Sequence, residues 1–431
     1  MRTSPADPPT GPEASVSRES LLHRAGRNLL GGPGRVTGVD LARGIAVLGM
    51  FAAHVGVTSG DLGTPEGWLA VGQGRSSILF ALVAGVSLAL VTGARTPPAG
   101  EALRTARGRI LVRAVLLMVL VALLDLLGAR VALILGYYAA YFVLALPFLR
   151  LSTARLAALA VGTALIGPVL VYYGPEVLAR AGLRMPSVGS GAVTDFLLTG
   201  YYPAFVWMAY VFAGLAVGRS DLRSPMVQLS LGLGGFGVAA VTSLVSHGLV
   251  GAAGGADAVR AAVRATSSLT GATHAWSDPW PPLAGLALEG PHDDTIFEAV
   301  GSGAFALGML GLCLLLGRVV ETRVPGWAPR VLRGVVLAVV TPLAAVGAMA
   351  LTIYSAQVAV IAWWNRIDWD PLYVTNEPLL WLVLGALIFA TVWRALLGRG
   401  PLERVFSAVP RRVFPASPRG ASDATSTRRR T

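Results

Sequence analysis

The sequence predicts an all-α polytopic membrane helix bundle of about ten transmembrane helices, with both termini on the inner side. Three observations carry that expectation. Hydrophobic residues make up 54% of the 431 residues and charged residues 13%, at a mean hydropathy of +0.64, where a soluble chain carries about a quarter charged residues. Ten apolar stretches recur along the chain, each near the length a helix needs to cross a ~30 Å hydrocarbon core. The chain has no lysine, and its 35 arginines are unevenly spread: with the N-terminus inside, seven fall on the outer side and the other 28 inside, the bias of cytoplasmic loops.

Residues 1–36 are rich in Pro, Ser, Gly and Arg and contain no apolar run of signal-peptide length, so they read as a disordered cytoplasmic tail. The apolar stretches follow at 39–58, 76–94, 110–128, 131–149, 154–173, 201–218, 227–250, 299–317, 336–364 and 378–397. They divide the chain into a transmembrane region at 37–250, an extracytoplasmic loop at 251–298, a second transmembrane region at 299–408, and a disordered basic cytoplasmic tail at 409–431. The ninth stretch, which contains Pro342, is expected either to kink or to be preceded by a surface helix. The outer loops 174–200 and 251–298 are long enough to carry short helices and function. Tyr137, Tyr138, Tyr201, Tyr202, Trp363 and Trp364 read as aromatic-belt residues. Small residues such as those of GSGAFALGMLG (Gly301 to Gly311) let helices approach closely. The single cysteine, Cys313, excludes an internal disulfide and a multi-cysteine metal site. The net charge of +12 is dispersed over loops and tails rather than gathered on one face, which speaks against nucleic acid.

The stretch with most chemistry is GVDLARGIAVLGMFAAH, Gly38 to His54. Asp40 and Arg43 are three residues apart, and the eleven positions from Arg43 to His54 return to nearly the same helical face about 16 Å away. Asp40 and Arg43 serve equally as a cap and headgroup anchor or as cavity groups. His54, about 22 Å in from Val39, is an ionisable group at membrane depth, where such groups mark function. Arg75 suits headgroup snorkelling or an anionic acceptor. His292 and Glu298 suit acceptor binding or, with Asp293, Asp294 and Thr295, the capping of a helix. Tyr354 and Gln357 form a polar patch that lines the same cavity or bonds neighbouring helices. No metal site is expected, since His292, Asp293 and Asp294 are adjacent in the chain and adjacent residues rarely converge on one ion.

RGIAVLGMFAAH, with ten residues between Arg43 and His54, resembles the pattern of the transmembrane acyltransferase superfamily. With GRSSILFALVAGVSLAL (Gly74 to Leu90) and YYPAFVWMAYVFAGLAVGR (Tyr201 to Arg219), the chain resembles the bacterial branch named for the catalytic domain of heparan-α-glucosaminide N-acetyltransferase. PLAAVGAMALTIYSAQ (Pro342 to Gln357) and GPLERVF (Gly400 to Phe406) are similar to the YeiB-like membrane family. Together these segments cover most of residues 36–408, making 37–250 acyltransferase-like and 299–408 YeiB-like.

The resemblance implies transfer of an acyl group, in the first place acetyl, from cytoplasmic acyl-CoA to an acceptor across the membrane, with a histidine as the key group. The acyl-CoA is a cosubstrate, and no permanently bound cofactor is implied. The longer histidine-bearing loop after the first span of the animal enzyme is missing here, so the resemblance implies that the catalytic histidine is His54, by the Arg-to-His pattern, or else another group. An imidazole titrates near neutrality and serves as base or as transient acyl carrier. Arg43 would meet a CoA phosphate, with Asp40 orienting it; Arg75, His292, Glu298, Tyr354 and Gln357 would hold the acceptor. Expected partners are membrane lipids, acyl-CoA, a glycan, lipid or small-molecule acceptor, and a second copy in a homodimer; the expected location is a bacterial cytoplasmic membrane. The alternative is a secondary transporter or exporter of a small polar or lipid-linked substrate. Such folds carry internal repeats, and none relates the two halves here. A sensor or assembly factor would place function in the low-complexity tails and leave His54 dispensable.

Overall fold

Helix α1 (Thr37–Val55) is the post around which the other helices are set. Its apolar residues are almost all buried, and it packs against α3 (Arg75–Val91), α10 (Ile296–Glu321) and α11 (Trp327–Ala348), touching α12 (Ala350–Arg366) and α13 (Glu377–Leu397) as well. The computed structural model describes residues 26, 28–29, 35–183, 192–267, 275–321, 327–367 and 374–415, and among these there is no strand. Most of the two expected tails, with Arg184 and His274, lies outside the described residues.

The remaining elements are α2 (Pro65–Val71), α4 (Gly100–Asp125), α5 (Ile134–Ala145), α6 (Thr153–Arg180), α7 (Ala204–Gly218), α8 (Pro225–Ala252), α9 (Ala256–Thr266) and α14 (Pro401–Val413). Local chemistry starts several of them. Thr64 accepts a hydrogen bond from the Gly67 N–H ahead of Pro65, and Ser152 accepts one from the Arg155 N–H, both N-cap arrangements. Close approaches need glycine: a Cβ on Gly347 would strike the Asp40 carbonyl, and one on Gly44 the Leu343 carbonyl, so α1 and α11 cross backbone to backbone.

Each of the ten apolar stretches lies on a helix or a bent helix pair. Five helices are long and apolar enough to cross a membrane: α1, α6, α8, α10 and α13. The number rises to seven if the bent pairs α2–α3 and α11–α12 each count as one span. At 15 residues, α7 extends only about 22 Å, short of a ~30 Å core.

Three expectations change. The ninth stretch breaks by 81° at Met349, whereas Pro342 sits inside α11. Tyr138 and Tyr202 are buried in an aromatic cluster and Trp364 is buried against the core, while Tyr201 and Trp363 are exposed. The C-terminal segment is helical to Val413, five residues past the boundary at 408. At the other end, the Asn28 amide donates to the Ala395 carbonyl (3.2 Å).

Candidate active site

The polar stripe of α1 faces the break between α11 and α12. Asp40 gathers two arginines: Arg35 donates to Oδ2 from Nε and Nη2 (3.0 and 2.6 Å), and Arg43 Nη1 donates to Oδ1 (3.0 Å). Arg43 also donates to the Gly347 carbonyl (3.1 Å) and, from Nη2, to Ser87 Oγ (2.7 Å). These bonds fix the guanidinium in the wall of a cavity of about 390 Å³. Its lining comes from α1 and α3 (Arg43, Ser87, Phe80), α4 and α5 (Arg113, Leu117, Tyr138, Phe142), the break (Gly347 to Leu351) and α14 (Glu403, Phe406, Ser407). Most of that wall is apolar, with charge concentrated at Arg43, Arg113 and Glu403.

His54 closes the other end of α1. The Gln357 amide Nε2 donates to His54 Nδ1 (3.0 Å), and the Tyr354 ring stands edge-on to the imidazole at 6.3 Å. An amide nitrogen only donates, so this bond keeps the proton of the neutral ring on Nε2. Gln357 Oε1 is buried and has no partner among the described residues. Turning the amide over would place Oε1 at Nδ1 and free Nε2 as a base. Tyr354 is fully buried, and its hydroxyl is within electrostatic reach of Tyr138, whose own hydroxyl donates to the Ser77 carbonyl (3.2 Å). Tyr354 is thus a neighbour of both His54 and Tyr138. Gln357 also lines a second cavity of about 260 Å³ between α12 and α13, with Trp364 and Trp381.

The loop before α10 forms a third group. Thr295 caps α10 by accepting from the Glu298 N–H (3.1 Å), and its own hydroxyl donates to the Leu288 carbonyl. The Glu298 carboxylate turns back on the loop, accepting the N–H of His292 (2.8 Å) and of Asp294 (2.6 Å), a variant of the capping box. It thereby supports two non-glycine residues in left-handed backbone, His292 at φ 59° and Asp294 at φ 50°, a conformation that costs of order 1–3 kcal/mol each. His292 lies parallel to Trp207 at 6.0 Å and edge-on to Tyr202 at 5.3 Å. Its Nδ1 faces the Tyr201 carbonyl (3.2 Å), which only accepts, so Nδ1 carries the proton and Nε2 keeps its lone pair. Burial holds the His292 pKa below its ordinary value, against the opposing Tyr201 bond and the Asp293 charge. Burial first, then the Glu298 charge, raises Asp294 well above the usual carboxylate range, partly offset by the Trp207 Nε1–H it accepts at 3.1 Å.

The expected residues thus fall into three places. Asp40 and Arg43 meet at the cavity, and His54, Tyr354 and Gln357 meet at the end of α1. Arg75, His292 and Glu298 are near neighbours: a Cβ on Gly74 (φ 68°) would lie 3.1 Å from Pro291 and 3.6 Å from Glu298 Oε1. Arg75 itself sits over the Phe305 ring at 5.1 Å. Glu298 is 3% exposed and spends both oxygens on backbone N–H groups, so it shapes the loop. His292, Asp293 and Asp294 diverge, to Tyr201, Arg260 and Trp207 respectively, and among the described residues no cluster of His, Cys, Asp and Glu is placed to hold a metal ion. Sequence reasoning missed Ser87, Trp207 and Arg113. Ser87 was open to detection, as a hydroxyl in an otherwise apolar helix.

Residues 35–247, just under half of the chain, match the family model described as heparan-alpha-glucosaminide N-acetyltransferase, catalytic, and over this stretch the chain is similar to that family of transferases. The match contains Asp40, Arg43, His54, Arg75 and Ser87, and stops short of the portion read as YeiB-like. It does not favour the transporter alternative. No curated protein and no solved structure matches the chain.

Proposed function

Proceeding from that similarity, we propose that the protein is a multi-pass acyltransferase of the bacterial cytoplasmic membrane. It moves an acetyl or other acyl group from cytoplasmic acyl-CoA to a glycan, lipid or small-molecule acceptor of the cell envelope. In this reading ten spans set both termini inside, residues 37–250 and 299–408 build one transmembrane unit, and loop 251–298 lies outside. The observation that carries it is the division of α1: Arg43, oriented by Asp40 and Ser87, stands in a narrow cavity wall, and His54, held by Gln357, closes the opposite end of the same helix.

The donor's arm occupies the cavity beside Arg43 and passes the Tyr138–Tyr354 pair to bring the thioester to His54. With Gln357 donating, the imidazole presents Nε2–H to the thioester oxygen as charge develops there. With the amide turned, Nε2 takes the proton of the acceptor's hydroxyl or amine as its oxygen or nitrogen bonds to the acyl carbon; the C–S bond then breaks and the imidazolium returns that proton to sulfur, so CoA leaves as thiol. Arg75 and His292, on the loop shaped by Glu298, flank the acceptor's approach. The cavity between α12 and α13 gives a lipid-linked acceptor a way to Gln357.

The test is transfer of label from radiolabelled acetyl-CoA in membranes holding wild type or His54→Ala. The expected loss is roughly 10²–10⁴-fold, the scale of a removed general acid–base. Full transfer by a folded His54→Ala protein would refute the assignment.

A further inference from the structure

The cavity beside Arg43 is closed on its inner side by helix α14, which lies outside the family match. Glu403 docks that helix. Its Oε1 accepts the N–H of Leu351 (2.9 Å) and of Thr352 (3.1 Å), and its Oε2 accepts the Thr352 hydroxyl (2.6 Å). Among the described residues, the one carboxylate of the cavity wall is thus spent on the first turn of α12, where exposed N–H groups and the helix dipole favour negative charge.

Three arginines gather at the same rim. Arg113 donates through Nε to the Phe406 carbonyl (3.3 Å), and Arg109 donates through Nε to the Phe414 carbonyl (2.8 Å). Arg113 also feels the charges of Arg109 and Arg411. Both anchoring bonds use Nε, which leaves the terminal nitrogens of each fork available. None of the three forms an ion pair among the described residues. Like charges held together without a counter-ion repel one another, and a bidentate anion relieves that repulsion best.

We infer that α4 and α14 together form a cradle for the phosphate groups of the acyl donor, with Arg109, Arg113 and Arg411 gripping them while the thin arm enters the cavity towards Arg43. This rests on the acyl-CoA reading above and adds the place and residues of phosphate docking. A volume of about 390 Å³ equals roughly 13 waters at ~30 Å³ each, room for a slender arm while the nucleotide stays at the rim. The C-terminal helix is then part of the donor site.

The test uses the full chain in phosphatidylcholine nanodiscs, with binding of CoA, 3′-dephospho-CoA and pantetheine measured for wild type, Arg109→Glu, Arg411→Glu and, as an inner-face control away from the cavity, Arg155→Glu. Thermal melting checks that each variant is folded. Wild type is expected to hold CoA at least tenfold tighter than pantetheine, with dephospho-CoA between them. Arg109→Glu and Arg411→Glu should weaken CoA about tenfold and leave pantetheine within twofold, and Arg155→Glu should change neither. Unchanged CoA affinity in both rim variants would overturn the cradle while leaving the acyl-CoA reading intact. So would variants that lose only phosphatidylglycerol retained in native mass spectrometry, since the occupant would then be a lipid headgroup. Absence of binding by both CoA and pantetheine would overturn the acyl-CoA reading and the cradle with it.

Discussion

The two ends of the polar path are built on opposite plans. At the rim formed by α4 and α14, the Arg109 and Arg113 guanidinium forks are anchored through Nε to backbone carbonyls. At the loop before α10 the acids are already committed: Glu298 to two backbone N–H groups, Asp293 to Arg260 and the Gly290 N–H, Asp294 to Trp207, and Glu289 to Ser243 and His247. An end with open charge waits for a ligand to complete it. An end with committed charge is preorganised, its geometry set before anything arrives.

That contrast can be tested hardest where one side chain orients another. Gln357→Leu should lower acyl transfer roughly 10–100-fold, the scale seen when a histidine's orienting partner is removed, with CoA binding unchanged. A parallel loss of CoA binding would merge the two ends into one. Arg219 inverts the arrangement of the rim arginines: its terminal nitrogens are committed, and its buried Nε has no partner among the described residues. It is buried at the end of α7 and donates to the carbonyls of Ala89, Thr92, Ala94 and Leu149 and to the Thr92 hydroxyl. Arg219→Ala should cost about 3 kcal/mol in stability, because buried carbonyls lose their donors, whereas Arg411→Glu should leave the melting temperature almost unmoved.

Gly74→Ala sharpens the outer half. The left-handed backbone alone costs a residue with a Cβ about 1–2 kcal/mol, and the contact with Pro291 adds to it, so acceptor KM should rise about tenfold while donor binding stays the same. The pH dependence of stability reports on the same loop. His292 has a folded pKa below about 6.5, so the unfolded chain takes up its proton first and stability falls as pH drops below that value. Asp294 has a raised folded pKa, so the folded chain holds a proton the unfolded chain has lost, and stability falls as pH rises above about 4. Asp294→Asn should flatten the alkaline limb of a melting-temperature profile from pH 4 to 8, and His292→Asn the acid limb. The smallest effect belongs to Ser87→Ala, which removes one of the three partners of Arg43 and should weaken CoA by about 1 kcal/mol, roughly fivefold.

The helical fold was legible from composition and apolar spacing, and so was the placement of Arg43 and His54 on one face of α1, because helical periodicity is local. The break at Met349 was not legible. The nearby glycine, Gly347, reads equally as a packing position in a continuous helix, and the first turn beyond the break takes its acceptor from Glu403, fifty-one residues on from Thr352. Tyr138 and Tyr202 misled for a related reason: belt and core tyrosines look alike until their neighbours are known. The capping of α10 by Thr295 could be read from TIFE, Thr295 to Glu298. That Glu298 would reach past the cap to His292 and Asp294 could not, since it depends on the left-handed backbone of those residues.

Glu403 also sets a schedule for biosynthesis. The chain leaves the ribosome from its N-terminus at ~5–20 residues per second, so the first turn of α12 is made roughly 3–10 s before the carboxylate that caps it. During that interval the wall of the cavity exists without its floor. The last helix is therefore a closing piece: a message or protease that ends the chain after α13 would yield all the long apolar helices and no finished chamber, and a fusion partner belongs after residue 415, where it leaves that closure undisturbed.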